Sequence, residues 1–367
     1  MAQTQTAIQS PAIPTFDEKD AAAFQDRMAD TLNSGAIAMM LSIGHRTGLF
    51  DTMAKLPPST SAEIAEVASL SERYVREWLA VMVTGGIVRY DPATRSYALP
   101  AEHAASLTRG APLGNLAIYA QDLPLMGAVE GRLLESFETG AGLRYDEYPC
   151  FHQVMSEDSG QNVVAQLFDT ILPLVPDLPA RLVKGIEVLD AGCGTGGALI
   201  AMAAHYPNSR FTGYDLGADA IATATRAAKV AGLANLRFEA RDLSGFDEAG
   251  RYDLITSFDA VHDQKDPRAL IASLHRALRS GGVYLMQDIG GSAKLENNLD
   301  FPMAAFLYAM SCAHCMPVSL GQGGKGLGTM WGWETAQRML KQAGFDTSER
   351  HVLPHDPMNV WFVSRKA

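Results

Sequence analysis

The stretch VLDAGCGTGG, Val188 to Gly197, constrains the chain more than any other. Two apolar residues and an acid run into Gly192, Gly194, Gly196 and Gly197, so a buried strand ends in a loop too tight for side chains. Ala198 to His205 follows with a helical pattern. Glycine tolerates positive φ and lets a ligand lie against bare backbone, while the helix N-terminus presents unpaired N–H donors. The motif is therefore a nucleotide-type cradle.

The glycines alone do not say which nucleotide. Gly192, Gly194 and Gly197 also satisfy the dinucleotide pattern GxGxxG, with Asp215 close to the spacing of a ribose-binding acid. Asp190 stands just before the loop, however, and another strand-end acid, Asp242, follows Arg237 to Ala240. A carboxylate at Asp190 repels a pyrophosphate and attracts a ligand carrying an ammonium and a sulfonium. The expected ligand is S-adenosylmethionine rather than NAD. Asp215 with Leu216 is expected at the ribose, Asp242 with Leu243 at the adenine, and Phe258 at the end of the next strand near the same pocket.

From Ile186 onward strands and helices alternate, which predicts a doubly wound α/β sheet of the Rossmann-like kind with seven strands. The strands are expected at Ile186–Asp190, Arg210–Asp215, Leu236–Ala240, Tyr252–Phe258, Gly282–Asp288, Thr347–Leu353 and Asn359–Ser364. Helices are expected at Ala198–His205, Ala218–Ala231, Arg268–Arg279 and Glu334–Ala343. Ligands of such sheets bind beyond the carboxyl ends of the strands.

Upstream, residues 1–20 read as a disordered tail. Ala22 to Gly48 has helical spacing, Ala62–Ala68 and Glu72–Val83 form two helices at a short turn, and IVRYDPATRSYALP is a hairpin turning at Asp91 and Pro92. This 21–110 segment is a mainly α winged helix. Residues 1–110 hold 9 Lys plus Arg against 12 Asp plus Glu, a net of −3, and Arg73 and Arg76 sit beside Glu72 and Glu77 in the would-be recognition helix. A DNA reader needs a cationic excess for phosphates, so the module is expected to make a homodimer. Residues 111–184 are apolar, Pro-broken helices that link to, and roof, a catalytic domain at 185–367 with a lid insertion at 290–333.

The whole chain carries 30 Lys plus Arg against 41 Asp plus Glu, a net charge of −11, which argues against nucleic acid or an anionic membrane as partner. No basic-then-apolar leader or long apolar run stands out. The four cysteines are too scattered for a disulfide framework. A cytoplasmic protein with no metal is expected.

For the chemistry, SFDAVHDQKDP places His262 at the loop facing the transferred methyl, where it suits a general base, with Asp263 to orient it. YPCFHQVMSEDSG gathers Tyr148 and His152 as candidate acceptor contacts. The segment Ser311 to Glu334 adds Met310, His314, Cys315 and Trp331, with GQGGKGLG as a flexible lid. Cys312 and Cys315 beside Met303, Met310, Met316 and Met330 suggest an adaptable pocket for a polarizable, neutral acceptor. This favours transfer to a thiol or sulfide over transfer to a phenol or hydroxyl with His262 as base. Two other readings stay open: a cofactor-binding regulator using its winged helix on DNA, and an NAD-dependent oxidoreductase.

Residues 186–364 resemble the class I S-adenosylmethionine-dependent methyltransferases, through VLDAGCGTGG, YD, RDL and SGGVYLMQD. With the winged helix, the chain looks like the small-molecule O-methyltransferase type, in which an HD pair supplies the catalytic histidine. His262 and Asp263 match that pair, and Gln264 stands where plant-type enzymes have tryptophan.

Overall fold

The computed structural model describes residues 16–112 and 114–367, and the chain forms two compact units that divide between Ala104 and Ala105. Most of the expected tail, residues 1–15, lies outside the described residues. The first helix, Glu18–Arg46, begins before residue 20 because Asp17 caps it, accepting from the backbone N–H groups of Lys19 and Asp20. Its outer face leaves Phe24 and Leu32 exposed. Near its end Gly44 lets the rings of Phe50 and Trp78 close on the helix, since a Cβ there would lie 2.6 Å from both.

Short helices Leu49–Met53 and Ser61–Ala68 follow, the latter started by a reciprocal Thr60–Glu63 capping box. The helix Glu72–Thr84 and an antiparallel pair, β1 (Arg89–Asp91) and β2 (Ser96–Ala98), complete a winged helix. Arg73 pairs with Glu77 and Arg76 with Glu72 on the same helix. Its cations are spent internally.

In the second unit the sheet comprises β3 (Glu187–Ala191), β4 (Arg210–Asp215), β5 (Leu236–Ala240), β6 (Tyr252–Phe258), β7 (Leu278–Ile289), β8 (Thr347–Leu353) and β9 (Asp356–Arg365). Their order is β5-β4-β3-β6-β7-β9-β8. The first five run parallel, while β9 is antiparallel to both neighbours. Alternation along the strands feeds two cores. Leu189, Ile255 and Tyr284 pack on one face under the helices Pro267–Ala277 and Trp333–Ala343. Val188, Leu254 and Leu285 pack on the other, under Leu167 to Leu182 and the helix Gly197–His205. The predicted sheet is present with its strands lengthened: β7 starts at Leu278 directly after a helix capped by Asp266, so that helix ends at Ala277 rather than Arg279.

The 290–333 segment differs from a lid. Ala304–Met310, a π-turn Ser311–Cys315 and Met316–Gly321 form one helical rod. The rod is long and apolar enough to cross a membrane by composition, yet 44% of it is buried, as in a core helix. Gly321, at the end of the rod, and Gly332, beyond it, serve close packing, since a Cβ on Gly321 would lie 2.1 Å from the Leu143 carbonyl oxygen and one on Gly332 2.1 Å from the Ala293 nitrogen.

Candidate active site

Above the carboxyl ends of β3, β4 and β6 the second unit encloses a cavity lined by Asp190, Gly192, Gly194, Asp215, Leu216, Asp242, Leu243 and Phe258. All are residues expected at a nucleoside. Gly192, Gly194 and Gly196 have φ of 83°, 51° and 77°. A Cβ on Gly192 would reach 2.5 Å from Ala260, and one on Gly196 2.4 Å from the Phe238 ring. Gly196 is the residue that turns the loop into the helix Gly197–His205.

The three acids differ in state. Asp215 accepts from the backbone N–H groups of Gly194 and Gly217, each at 2.8 Å, and ties the glycine loop to the end of β4. Asp242 accepts from the Ser244 N–H, which holds its carboxyl below the usual range. Asp190 is buried and accepts from the Thr256 hydroxyl at 2.8 Å. Burial pushes it up to about 7 despite that bond. A cationic ligand beside it restores the carboxylate. The cradle fits S-adenosylmethionine on this ground: bare backbone would take the methionine and ribose, with Asp190 toward the cationic end, Asp215 toward the ribose hydroxyls and Asp242 toward the adenine.

The fourth strand-end loop carries a correction. Asp263 does not orient His262; it accepts hydrogen bonds from the Tyr145 hydroxyl and from Gln264 Nε2 at 3.4 Å. The partner of His262 is Asp288, near the end of β7, whose Oδ1 lies 2.9 Å from His262 Nδ1. The same oxygen accepts from Ile289 N at 2.8 Å and Trp331 Nε1 at 2.9 Å. Burial opposes a charged imidazole here, but the Asp288 carboxylate prevails and holds His262 well above the ordinary histidine value. Sequence reasoning passed over Asp288; the available signal was a lone carboxylate closing an apolar strand.

The expected acceptor residues separate. Tyr148 and His152 line an adjoining pocket, and His152 also lines the cavity. His314 is stacked on Phe151 at 4.2 Å and held edge-on by Tyr148 at 4.7 Å. Burial, aided by the nearby His262 and His152, drives it down to about 3. Neither cavity is lined by His314, Cys315, Met310 or Trp331, nor by His262 itself, whose loop neighbours Asp259, Ala260, Asp263 and Gln264 line the first. Trp331 sits in the sheet core and serves Asp288. Cys315 is buried, accepts from the Thr329 hydroxyl at 3.0 Å and adjoins His314 Nδ1 at 3.6 Å. The soft pocket read from sulfur-bearing residues is therefore not assembled: Met310, Cys315 and Met330 are buried in packing, Cys312 and Met316 are half-buried, and Met303 is exposed ahead of the rod.

Residues 35–109 match the Rv2258c-like winged HTH domain and residues 182–344 a methyltransferase domain. The chain is thus a winged-helix domain followed by a methyltransferase domain. It is 31% identical over 106 residues to a fatty-acid O-methyltransferase of Mycolicibacterium smegmatis, covering 29% of the chain and 38% of the relative. It is 34% identical over 114 residues to a trans-aconitate 2-methyltransferase of Deinococcus radiodurans, covering 31% and 40%. Its matched stretch thus spans about two fifths of the length of these curated relatives. In fold it is similar to an O-methyltransferase structure from Nostoc punctiforme, with TM-score 0.67, 21% identity and coverage of 97% and 100%. It is also similar to human N-acetylserotonin methyltransferase solved with S-adenosylmethionine, with TM-score 0.63, 16% identity and the same coverage.

Proposed function

We propose that the protein transfers the methyl group of S-adenosylmethionine to a hydroxyl oxygen of a small-molecule acceptor, with His262 as general base and Asp288 as its positioning residue. The observation that carries this reading is the buried His262–Asp288 pair, set in a loop whose residues Asp259, Ala260, Asp263 and Gln264 line the cavity. When bound, the donor supplies an electrophilic methyl on a sulfonium. Asp190, Asp215 and Asp242 would hold it. Asp288 Oδ1 keeps the proton of His262 on Nδ1 and leaves Nε2 to take the acceptor's hydroxyl proton. The reading favours oxygen over sulfur because a thiol needs little help with its proton, whereas the chain builds a histidine–carboxylate pair at the site. The O-methyltransferase neighbours in fold support the same choice.

Dimerisation through the first unit is part of this proposal, motivated by Phe24 and Leu32, which its long helix leaves exposed. The test is calorimetric binding of S-adenosylmethionine together with transfer of labelled methyl to a panel of phenols and thiols. Binding is expected in the wild type and lost in Asp215→Ala. Transfer to phenols is expected to fall by about 10²–10⁴-fold in His262→Ala. Full activity of His262→Ala on the best hydroxyl acceptor would remove the base role, and absence of binding would remove the function.

A further inference from the structure

The cavity wall carries the carboxyls of Asp158, Asp190, Asp215, Asp242, Asp259 and Asp263 against one guanidinium among the described residues, Arg241, which is already paired with Glu248 at 2.8 Å. Three of these acids belong to the donor site, and Asp263 accepts from Tyr145. Asp158 accepts from Asn162 Nδ2 at 2.6 Å, which leaves Asp259, whose Oδ1 carries no hydrogen bond and lies 3.7 Å from His262 Nδ1. Behind Asp259 lies Asp122, 5% exposed, which burial and the neighbouring Asp259 push up to about 7.

A second feature on the same wall is not acidic. Asn359 is 7% exposed and lines the cavity. Its Nδ2 donates to Asp356 Oδ1 at 2.7 Å, which settles the amide orientation and leaves Oδ1 as the free atom. That Oδ1 has no hydrogen-bond partner, and neither have Asp259 Oδ1 and Asp122 Oδ1. Unpaired buried acceptors are costly. Asp122 stands off the cavity wall, and His262 Nδ1 lies 3.7 Å from Asp259 Oδ1, beyond hydrogen-bond reach, so Asp259 and Asn359 on that wall suit a ligand that brings donors and positive charge. A neutral hydroxyl brings one donor. An ammonium brings three, and cancels charge as well.

We propose that the acceptor is a protonated amine, bound through its ammonium by Asp259 and Asn359, with Asp122 as the neighbouring carboxyl that strengthens their pull. The inference rests on the small-molecule methyltransferase reading and replaces the neutral acceptor expected from composition. A divalent cation is the competing occupant, since Asp259, His262 and Asp288 offer ligand atoms within 4.8 Å of one another. His262 Nδ1 is engaged with Asp288 Oδ1 at 2.9 Å, however, and a metal would have to displace that proton.

The test uses the full chain loaded with S-adenosylhomocysteine and titrated with matched pairs: tyramine against 4-ethylphenol, dopamine against 4-ethylcatechol, tryptamine against 3-ethylindole. At least one amine is expected to bind on the order of tenfold more tightly than its neutral isostere. The preference should vanish in Asp259→Asn, which keeps the shape and tolerates the φ of 53° at this position, and in Asp122→Asn. Affinity for S-adenosylhomocysteine should change in neither variant. The proposal is overturned if no amine outbinds its isostere. It is equally overturned if Asp259→Asn weakens S-adenosylhomocysteine as much as the amine, which would assign these groups to the donor's own ammonium. A melting-temperature rise with Mn²⁺ that Asp259→Asn abolishes, with no amine preference, would assign the site to a metal. A wild-type chain that binds no S-adenosylhomocysteine fails the functional reading instead, so the two failures are distinguishable.

Discussion

Replacing Asp288 by Asn keeps volume and shape while removing the charge on which three donors converge, so its consequences can be worked from the geometry. Oδ1 accepts from Ile289 N, His262 Nδ1 and Trp331 Nε1 at 2.8–2.9 Å, and a charge-assisted bond is worth roughly twice a neutral one. Weakening three such bonds by about 1 kcal/mol each sets a ceiling near 3 kcal/mol. Relief of the buried carboxylate's desolvation offsets part of it. The pH dependence separates this account from simple loss of packing. In the wild type His262 has a folded-state value raised above the ordinary 6.5. Its contribution to stability is therefore fully present below about 6.5 and is lost as pH rises through the folded value.

In Asp288→Asn the largest charge holding the ring protonated is gone, and burial, which favours the neutral form, is opposed only by Cys315 and the more distant Asp259, so the His262 contribution shrinks. The stability gap between wild type and variant should be widest near pH 6 and should narrow with increasing pH, by at most about 1.4 kcal/mol per unit. For a unit of this size that is about 2–4 °C in melting temperature per kcal/mol. Thermal melts from pH 6 to 9 measure it. The rate should respond in the same sense: wild-type kcat/KM climbs with pH as the imidazolium loses its proton, and in the variant the climb moves to lower pH with a lower plateau. A gap in melting temperature that stays constant across this window, with an unmoved rate profile, would refute the coupling of Asp288 to His262.

Two further outcomes follow from packing. Gly196→Val places a Cβ 2.4 Å from the Phe238 ring at a φ of 77°; loss of S-adenosylmethionine binding in calorimetry and destabilisation of about 1–3 kcal/mol in urea are expected, and unchanged binding would contradict the cradle. Leu32→Glu on the exposed face of Glu18–Arg46 should convert a dimer to a monomer in light scattering while the melting temperature moves little; a wild type that is already monomeric removes the dimer proposal.

Where the sequence was legible, the signal was local. VLDAGCGTGG announces its own loop because only glycine accepts three positive-φ positions in five residues beside Ala260 and Phe238. Asp190, Asp215 and Asp242 could be placed because each ends a strand of clear period, and strand ends on one side of a parallel sheet share a pocket. The capping box at Thr60–Glu63 and the neutral pairing of Arg73 and Arg76 were likewise written within a few residues of each other. The cysteine and methionine content of 310–330 misled because composition says what side chains could contact, and only the π-turn says that Cys315 faces Thr329 and His314.

The chain's order of residues by itself determined the sheet, the winged helix, the donor cradle and the class of cofactor, all of which rest on periodicity, glycine placement and charge within short windows. Tertiary structure alone decided that His262 answers to Asp288 rather than to its neighbour Asp263, and that Asp263 answers to Tyr145, 118 residues away. It also decided that Asp259 and Asn359 on one cavity wall, and Asp122 off that wall, each leave a buried oxygen without a hydrogen bond. Side chains adjacent in sequence point to different places on a loop, and hydrogen bonds form between whichever atoms the packed strands bring within 3 Å. The partner of His262 is therefore a property of the sheet order, with β6 laid beside β7, and not of the HD dipeptide.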